Sequence, residues 1–279
     1  MSKKPKDFLE LKDRLFSRAE LLWVSSIAAN VFALAVAMLE VVLSGDSKWS
    51  VYCGLVALLF PGVAIVLREW AAVPADRASK ISHLVLYADS LGLQIPASEQ
   101  AKVRRWVPAR SLADAPYVAP YYSSTLAPGA GRLADNLAES AYFTEHLTEQ
   151  VVKRVAWFGL VVMGALVAVV YLAANADVNV KLKALPAIAR GVAVAIAFLV
   201  SGDYAVLLWR FLRLMGSARS AYDAASSLRA DSSVRLEDVI PILQEYDSAR
   251  VQAPPLPRWL HVRHMDELNA DYRASHGRG

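Results

Sequence analysis

The sequence predicts an all-α, polytopic membrane protein with four transmembrane helices and a helical cytoplasmic domain. The chain has 279 residues and is 56% hydrophobic, whereas a soluble domain is about 45–50% apolar. The apolar residues are concentrated in long blocks, and the period-two alternation of half-buried strands is nowhere sustained. A net charge of +4 is too small to indicate a nucleic-acid-binding protein, and the single cysteine, Cys53, excludes an internal disulfide.

The N-terminal segment, residues 1–20, is expected to be an amphipathic cytoplasmic helix. The apolar stretch that follows it is too long for the core of a signal peptide and does not end in an A-x-A-like cleavage site. We therefore expect this segment to be retained.

Four stretches are long and apolar enough for a membrane helix, which needs roughly 20 mostly apolar residues. These stretches are residues 21–43, 49–67, 155–174 and 187–212. Pro61 should kink the second of them. Short links join the first span to the second and the third to the fourth, so we expect two transmembrane hairpins, residues 21–70 and 155–212.

The orientation follows from the distribution of lysine and arginine beside the spans. The basic residues are concentrated in the N-terminal segment, at both edges of the middle segment and at the start of the tail. The positive-inside rule then places both termini and the middle segment in the cytoplasm. Tryptophans near the span ends match an aromatic belt; they are Trp23, Trp49, Trp70, Trp157 and Trp209.

The remaining segments, the insert 71–154 and the tail 213–279, are both predicted to be helical. Residues 75–93 have apolar side chains at helical spacing, and Gly92 and Pro96 should end that helix. A second helix should begin near Arg132 and continue directly into the third span. In the tail, an extension of the fourth span should be followed by two further helices.

A candidate ligand site lies in the stretch APGAGR. Gly129 and Gly131 could leave backbone N–H groups facing an anion at a helix N-terminus, and Arg132 could add a bidentate phosphate contact. Tyr121 and Tyr122 precede them and could stack on a base. The alternative is an ordinary Gly-Pro loop before a helix.

Two other charged clusters are weaker candidates for a binding site. Arg104 and Arg105, in KVRRW, could bind a nucleotide or anionic lipid head groups, or could lie on a solvated helix face. His261 and His264 share a helix face. They could bind a metal ion, or they could lie on a solvated surface of mixed charge. The sequence has no G-x-S-x-G, P-loop or H-E-x-x-H motif, so we expect neither an enzyme nor a cofactor.

The fourth predicted span contains a carboxylate, Asp203, flanked by Ser201 and Gly202. Ionisable residues inside a span usually face the bundle interior or a water-filled path. Asn30, in the first span, could lie at a similar depth. Asp203, Asn30 and Ser201 are therefore candidate pore or gating residues, and the alternative for Asp203 is a buried polar contact between helices.

The chain resembles the bacterial four-transmembrane pore-forming effectors associated with the nucleotidyltransferases of CBASS-like antiphage defence. Its order of segments and the stretch YYSS…LAPGAGRLADNLAESAYFTEHL are similar to that family. The tail is also similar, with Leu243-Gln244, Arg250, Pro257 and Trp259 in the order that the family's ending shows. The chain differs in its alanine-rich composition.

The resemblance implies a homo-oligomeric ion channel of the bacterial inner membrane, for which we assume a tetramer. A cyclic or linear nucleotide from a partner enzyme would bind the cytoplasmic domain, gate the pore, depolarise the membrane and arrest growth. A proton-coupled small-solute transporter that uses Asp203, and a non-conducting membrane scaffold, are the alternatives. The absence of an inverted repeat argues against the transporter.

Overall fold

A computed structural model describes residues 6–43, 47–106, 122–175, 204–229 and 233–275. Every regular element in these ranges is an α-helix, which confirms the predicted all-α class. The helices are α1 (Lys6–Leu43), α2 (Ser47–Leu91), α3 (Ala97–Arg104), α4 (Ala130–Asn175), α5 (Tyr204–Arg229), α6 (Leu236–Gln252) and α7 (Arg258–Ser275).

Two helix boundaries follow the sequence signals. α2 ends at Leu91, and Gly92 then adopts a φ of +66°, the left-handed conformation that commonly closes a helix. α4 begins at Ala130, two residues before the predicted start, and continues without a break through the segment predicted as the third span. α2 is also continuous, and Pro61 lies within it.

The chain divides into two compact units. The first, here called the polar unit, comprises Met1–Glu20, Ala71–Val151 and Arg210–Gly279. The second, here called the apolar unit, comprises Leu21–Trp70 and Val152–Trp209. Four helices contribute residues to both units: α1, α2, α4 and α5.

The polar unit has two hydrophobic clusters built from helical stripes. In the first cluster, α4 contributes a stripe four residues apart, α5 contributes alanines, and α6 contributes a valine, a leucine and a tyrosine. Its members include Leu133, Leu137, Ala141, Ala218, Ala221, Ala225, Val239, Leu243 and Tyr246. The second cluster joins α1, α2 and α3 through Phe8, Leu11, Leu15, Ala78, Ile81, Val85 and Val103.

The apolar unit exposes large apolar side chains and buries small or polar ones. On α1, Leu21, Val24 and Phe32 are exposed, whereas Ser26 and Asn30 are buried. On α4, Trp157, Leu160 and Val167 are also exposed, as are many side chains of the first half of α2. This arrangement is the reverse of a water-soluble domain and is typical of helices that face lipid.

Within the described residues, two helical stretches are long and apolar enough to cross a membrane. They are Phe8–Val36 and Leu55–Leu91, and little of either stretch is buried inside the chain. Buried helices of soluble proteins can have the same length and apolar composition. The exposed apolar surface of the apolar unit is therefore the stronger reason to infer membrane association. The four-span arrangement stays a prediction, and most of the fourth span lies outside the described residues.

Candidate functional site

The first turns of α4 are buried in the first hydrophobic cluster of the polar unit. Residues 133–139 are all buried, although this run contains two carboxylates and an amide. Arg132, Asp135, Asn136 and Glu139 lie three or four residues apart and are here called the polar face of α4. Because buried polar groups are costly without partners, this face requires matching groups on neighbouring elements.

Arg132 and Asn136 bind the end of α2. The guanidinium Nη2 of Arg132 lies 2.9 and 3.0 Å from the two carboxylate oxygens of Asp89. The amide Nδ2 of Asn136 donates to Asp89 Oδ2 and to Ser90 Oγ, each at 2.9 Å. Hydrogen bonds to a charged group are stronger than neutral ones, so this set fixes the last turn of α2 against the first turn of α4.

Two further contacts hold the other carboxylates of the polar face. Asp135 Oδ1 lies 3.2 Å from Arg229 Nε, and the Asp135 side chain is fully buried. Glu139 Oε2 accepts hydrogen bonds from the backbone N–H and the hydroxyl of Ser123, each at 2.8 Å. The polar face therefore contacts α2, the segment before α4, and the end of α5.

Apart from Asp135 Oδ1, which has its ion pair with Arg229, two buried polar atoms of this face have no hydrogen-bond partner among the described residues. They are Nε of Arg132 and Oδ1 of Asn136. One is a donor and the other an acceptor, and their side chains share Asp89 as a partner. Buried polar atoms in native proteins nearly always have a partner, so these two can bind water or a ligand.

The predicted phosphate loop is engaged in contacts within the chain. Gly129 N–H donates to the carbonyl of Ser90 at 2.9 Å, and Arg132 also reaches the carbonyl of Leu126. Gly131 lies in the first turn of α4. A phosphate at this loop would have to replace Asp89 as the partner of Arg132.

The predicted stacking and basic residues that the structure describes belong to different parts of the polar unit. Tyr122 is buried within the first hydrophobic cluster, and Tyr121 lies outside the described residues. Arg104 and Arg105 are exposed beside Val103, which belongs to the second cluster. Stacking on Tyr122 would therefore require this side chain to leave the core.

The candidate pore residues are only partly within the described chain. Asn30 is buried in the apolar unit, on the same side of α1 as Ser26, whose hydroxyl donates to the carbonyl of Trp23. Ser201 and Asp203 lie outside the described residues. A residue buried inside one subunit can line an internal path, but it would need rearrangement to face the axis of an oligomer.

The two histidines of α7 occupy different environments. The pKa of His261 is lowered to about 4, chiefly by burial and also by the positive charges of Lys12 and Arg250, while Asp13 acts in the opposite direction. His264 Nδ1 lies 3.5 Å from Glu267 Oε2. Among the described residues, no group of three or more His, Cys, Asp or Glu side chains could hold a metal ion.

The sequence reading missed Asp89, Asp135 and Arg229, although one signal was present. The series Arg132, Asp135–Asn136 and Glu139 has the spacing of a single helical face, in a helix that is otherwise rich in leucine and alanine. Comparisons with known protein families, characterised proteins and solved structures give no match to this chain.

Proposed function

We propose that the protein is a homo-oligomeric, pore-forming effector of the bacterial inner membrane. In this proposal a nucleotide signal from a partner nucleotidyltransferase binds the polar unit and gates an ion path, which depolarises the membrane and arrests growth. One observation carries the proposal: α1, α2, α4 and α5 each contribute residues to both the polar and the apolar unit. A change in the polar unit can therefore reach the apolar unit through continuous helices.

The ligand contact we propose is an exchange of partners at Arg132. A phosphate can offer two oxygens to the guanidinium of Arg132, as the Asp89 carboxylate does. Arg132 Nε and Asn136 Oδ1 would supply a further donor and an acceptor. Loss of the Asp89 contact would separate the last turn of α2 from the first turn of α4.

This exchange has the energy scale of an allosteric switch. Coupling between two sites is typically about 1–3 kcal/mol, which is similar to the value of a hydrogen bond to a charged group. Both helices that Asp89 and Arg132 connect continue into the apolar unit. Asp203 and Ser201 are the proposed path residues of the fourth span.

A binding measurement on the detergent-purified protein tests the nucleotide site. We would titrate a panel of cyclic di- and trinucleotides and linear oligoadenylates against the wild type, Arg132→Ala and Arg235→Ala. Arg235 is a matched control, because its guanidinium pairs with Glu237 on the exposed surface. Binding that survives Arg132→Ala unchanged would exclude this arginine as the phosphate contact.

Planar-bilayer recordings test the ion path. Discrete unitary currents that depend on a bound nucleotide would support a channel. Asp203→Asn should change ion preference or gating if this carboxylate faces water. A protein that remains a single subunit and passes no current with any ligand of the panel would contradict the proposal.

A proton-coupled transporter is a second candidate because Asn30 and Ser26 are buried within a single chain. Buried polar residues in the apolar unit are compatible with a path inside one subunit, without an oligomeric axis. Proton uptake by proteoliposomes that is lost in Asp203→Asn, without unitary currents, would favour this function. The absence of both uptake and current would favour a membrane scaffold.

A further inference from the structure

The outer side of α5 changes from apolar to basic where this helix passes from the apolar unit to the polar unit, between Trp209 and Arg210. Before that point, Val206 is 42% exposed and Trp209 is 65% exposed. After it, Arg210 and Arg213 are both exposed. The opposite side of the helix is buried through Phe211, Leu214 and Ala218. Residues 206, 209, 210 and 213 have the spacing of one helical face, so a single stripe of α5 presents two apolar side chains followed by two guanidinium groups.

The elements that carry these arginines have no acidic residue beside them. Residues 204–222 of α5 include neither aspartate nor glutamate. Arg213 Nη1 donates to the amide Oε1 of Gln252 on α6 at 2.7 Å, and residues 248–252 of α6 also include no carboxylate. Among the described residues, no carboxylate forms an ion pair with Arg210 or Arg213. The neutral amide of Gln252 therefore orients the Arg213 side chain without compensating its charge.

The order of groups along this stripe matches the order of groups in a phospholipid. Exposed aliphatic and aromatic side chains suit the start of an acyl chain, and tryptophan is enriched at the level of lipid head groups. A guanidinium group can bind a phosphate through two N–H groups. One turn beyond Arg213, Gly216 is exposed, and an added Cβ there would meet no atom within 4 Å. The surface beyond the arginines therefore leaves space for a head group, and a soluble anion would make no use of Trp209 and Val206.

We propose that α5 binds an anionic phospholipid of the cytoplasmic leaflet through Val206, Trp209, Arg210 and Arg213. The two guanidinium groups bind the lipid phosphate, and the first carbons of an acyl chain pack against Val206 and Trp209. A zwitterionic lipid has the same phosphate but also a cationic amine, which two arginines without a neighbouring carboxylate disfavour. This inference rests on the membrane placement in the proposed function, but not on the channel activity or the nucleotide.

Fluorescence quenching by a doxyl group that is moved from one lipid class to another tests this selectivity with the full-length chain. Cys53 is the single cysteine, so Cys53→Ala provides the background for Val206→Cys, which carries a bimane label on the stripe. The proteoliposomes always contain equal amounts of phosphatidylglycerol and phosphatidylcholine. A doxyl group at carbon 5 is carried by a small fraction of either the first lipid or the second. The ratio of the two quenching values, phosphatidylglycerol over phosphatidylcholine, reports which lipid lies against the label.

Val66→Cys in the same background is the matched control. Val66 is a valine of α2 that is 48% exposed, and it lies four residues before the exposed Trp70. The basic residue at that level, Arg68, is followed directly by Glu69. The control position therefore has a similar apolar surface and tryptophan, but no acid-free pair of arginines.

The site predicts a quenching ratio of about two or more at position 206 and of about one at position 66. Arg210→Gln combined with Arg213→Gln should lower the ratio at position 206 to about one, whereas lysine at both positions should keep it higher. Arg235→Gln should leave it unchanged, because Arg235 pairs with Glu237 on the exposed surface. A ratio at position 206 that survives the double glutamine substitution would overturn the site. Equal melting temperatures of the variants would show that the substitutions do not disturb the fold.

The total quenching at the two positions separates failure of the site from failure of the membrane placement. Quenching at both positions with equal ratios would overturn the lipid site and leave the membrane placement intact. Quenching at neither position would overturn both. Quenching at position 66 without quenching at position 206 would overturn the site, because protein, for example a second copy of the chain, would then cover this stripe instead of lipid.

Discussion

The carboxylate of Asp135, fully buried on α4, lies 3.2 Å from the Nε of Arg229 in the last turn of α5. This pair joins two helices that both contribute to the apolar unit. The net value of a buried ion pair is modest, because desolvation offsets the attraction between the charges. Removal of one partner is much more costly, because the other charge then stays buried without compensation.

Arg229→Ala should therefore lower the free energy of unfolding by about 3 kcal/mol or more. Asp135→Asn in the same chain should restore part of this loss, since no buried charge would remain. The measurement is thermal unfolding in detergent, followed by circular dichroism. Arg235→Ala is the control, because its pair with Glu237 is exposed and such pairs contribute about 0–1 kcal/mol. Equal effects of the two arginine variants would contradict the argument.

Asp89→Asn should strengthen nucleotide binding if a phosphate competes with Asp89 for Arg132. The amide keeps the shape of the carboxylate but removes its charge, so the contact to be displaced becomes weaker. A difference of about 1.4 kcal/mol in that contact corresponds to a tenfold lower Kd. Isothermal titration with the tightest-binding nucleotide of the panel would measure it. A weaker affinity in Asp89→Asn would show that Asp89 helps the ligand to bind and does not compete with it.

Tyr246→Phe should lower the free energy of unfolding by about 1–2 kcal/mol. The Tyr246 hydroxyl lies 2.6 Å from Thr144 Oγ1, and both side chains are buried at the contact of α4 with α6. The variant keeps the ring but leaves the threonine hydroxyl buried without this partner. Ser227→Ala, which removes an exposed hydrogen bond to the carbonyl of Ala224, should change stability by no more than about 0.5 kcal/mol. Chemical unfolding of both variants gives the comparison.

The low pKa of His261 predicts a loss of stability in mild acid. Burial lowers the pKa of His261 to about 4 in the folded chain, with Lys12 and Arg250 acting in the same direction and Asp13 against it. In the unfolded chain the ordinary pKa is about 6.5, so between these values the unfolded state binds more protons. Stability is therefore complete above about pH 6.5 and falls as the pH decreases towards 4, by about 3 kcal/mol from this group.

His261→Gln should flatten that part of the pH profile, because glutamine does not titrate. Melting temperatures of the wild type and the variant between pH 4 and pH 8 would show the difference. The two curves should diverge in slope only below about pH 6.5. Parallel curves over the whole range would mean that other groups control the acid response.

The sequence predicted most of the helices, because helical spacing of apolar residues and the glycines and prolines that end a helix can be recognised locally. The continuous run from Ala130 to Asn175 follows from helical periodicity that passes without a breaker into an apolar stretch. The polar face of α4 could not be assigned its partners in the same way. Arg132 and Asp89 are 43 residues apart, and no local rule states which carboxylate a given arginine meets in the folded chain. The sequence therefore indicated a role for Arg132 as an anion contact without identifying its carboxylate.

The position of Tyr122 could not be predicted from local sequence either. A tyrosine before a helix can either cover the core or face solvent, and only the packing of neighbouring helices decides between these positions. Here Tyr122 is buried in the first hydrophobic cluster, which also contains Leu86 and Leu133. Base stacking was inferred from residue type and proximity in sequence, neither of which reports burial.

Gly92 and Gly216 form a final matched pair, because alanine should have opposite effects at the two positions. Gly92 has a φ of +66°, and an added Cβ would lie 3.2 Å from Pro128 Cβ, in the loop before α4. Gly216 lies inside α5, where an added Cβ meets no atom within 4 Å. Gly92→Ala should destabilise the chain by about 1–2 kcal/mol, from left-handed backbone strain and the close contact. Gly216→Ala should stabilise it by about 0.5–1 kcal/mol, since glycine is a poor residue in a helix interior.

Chemical unfolding of both variants measures the two changes in the free energy of unfolding. A stabilising Gly92→Ala would mean that α2 does not end at Leu91 and that the contact of Asp89 with Arg132 is not fixed by this turn.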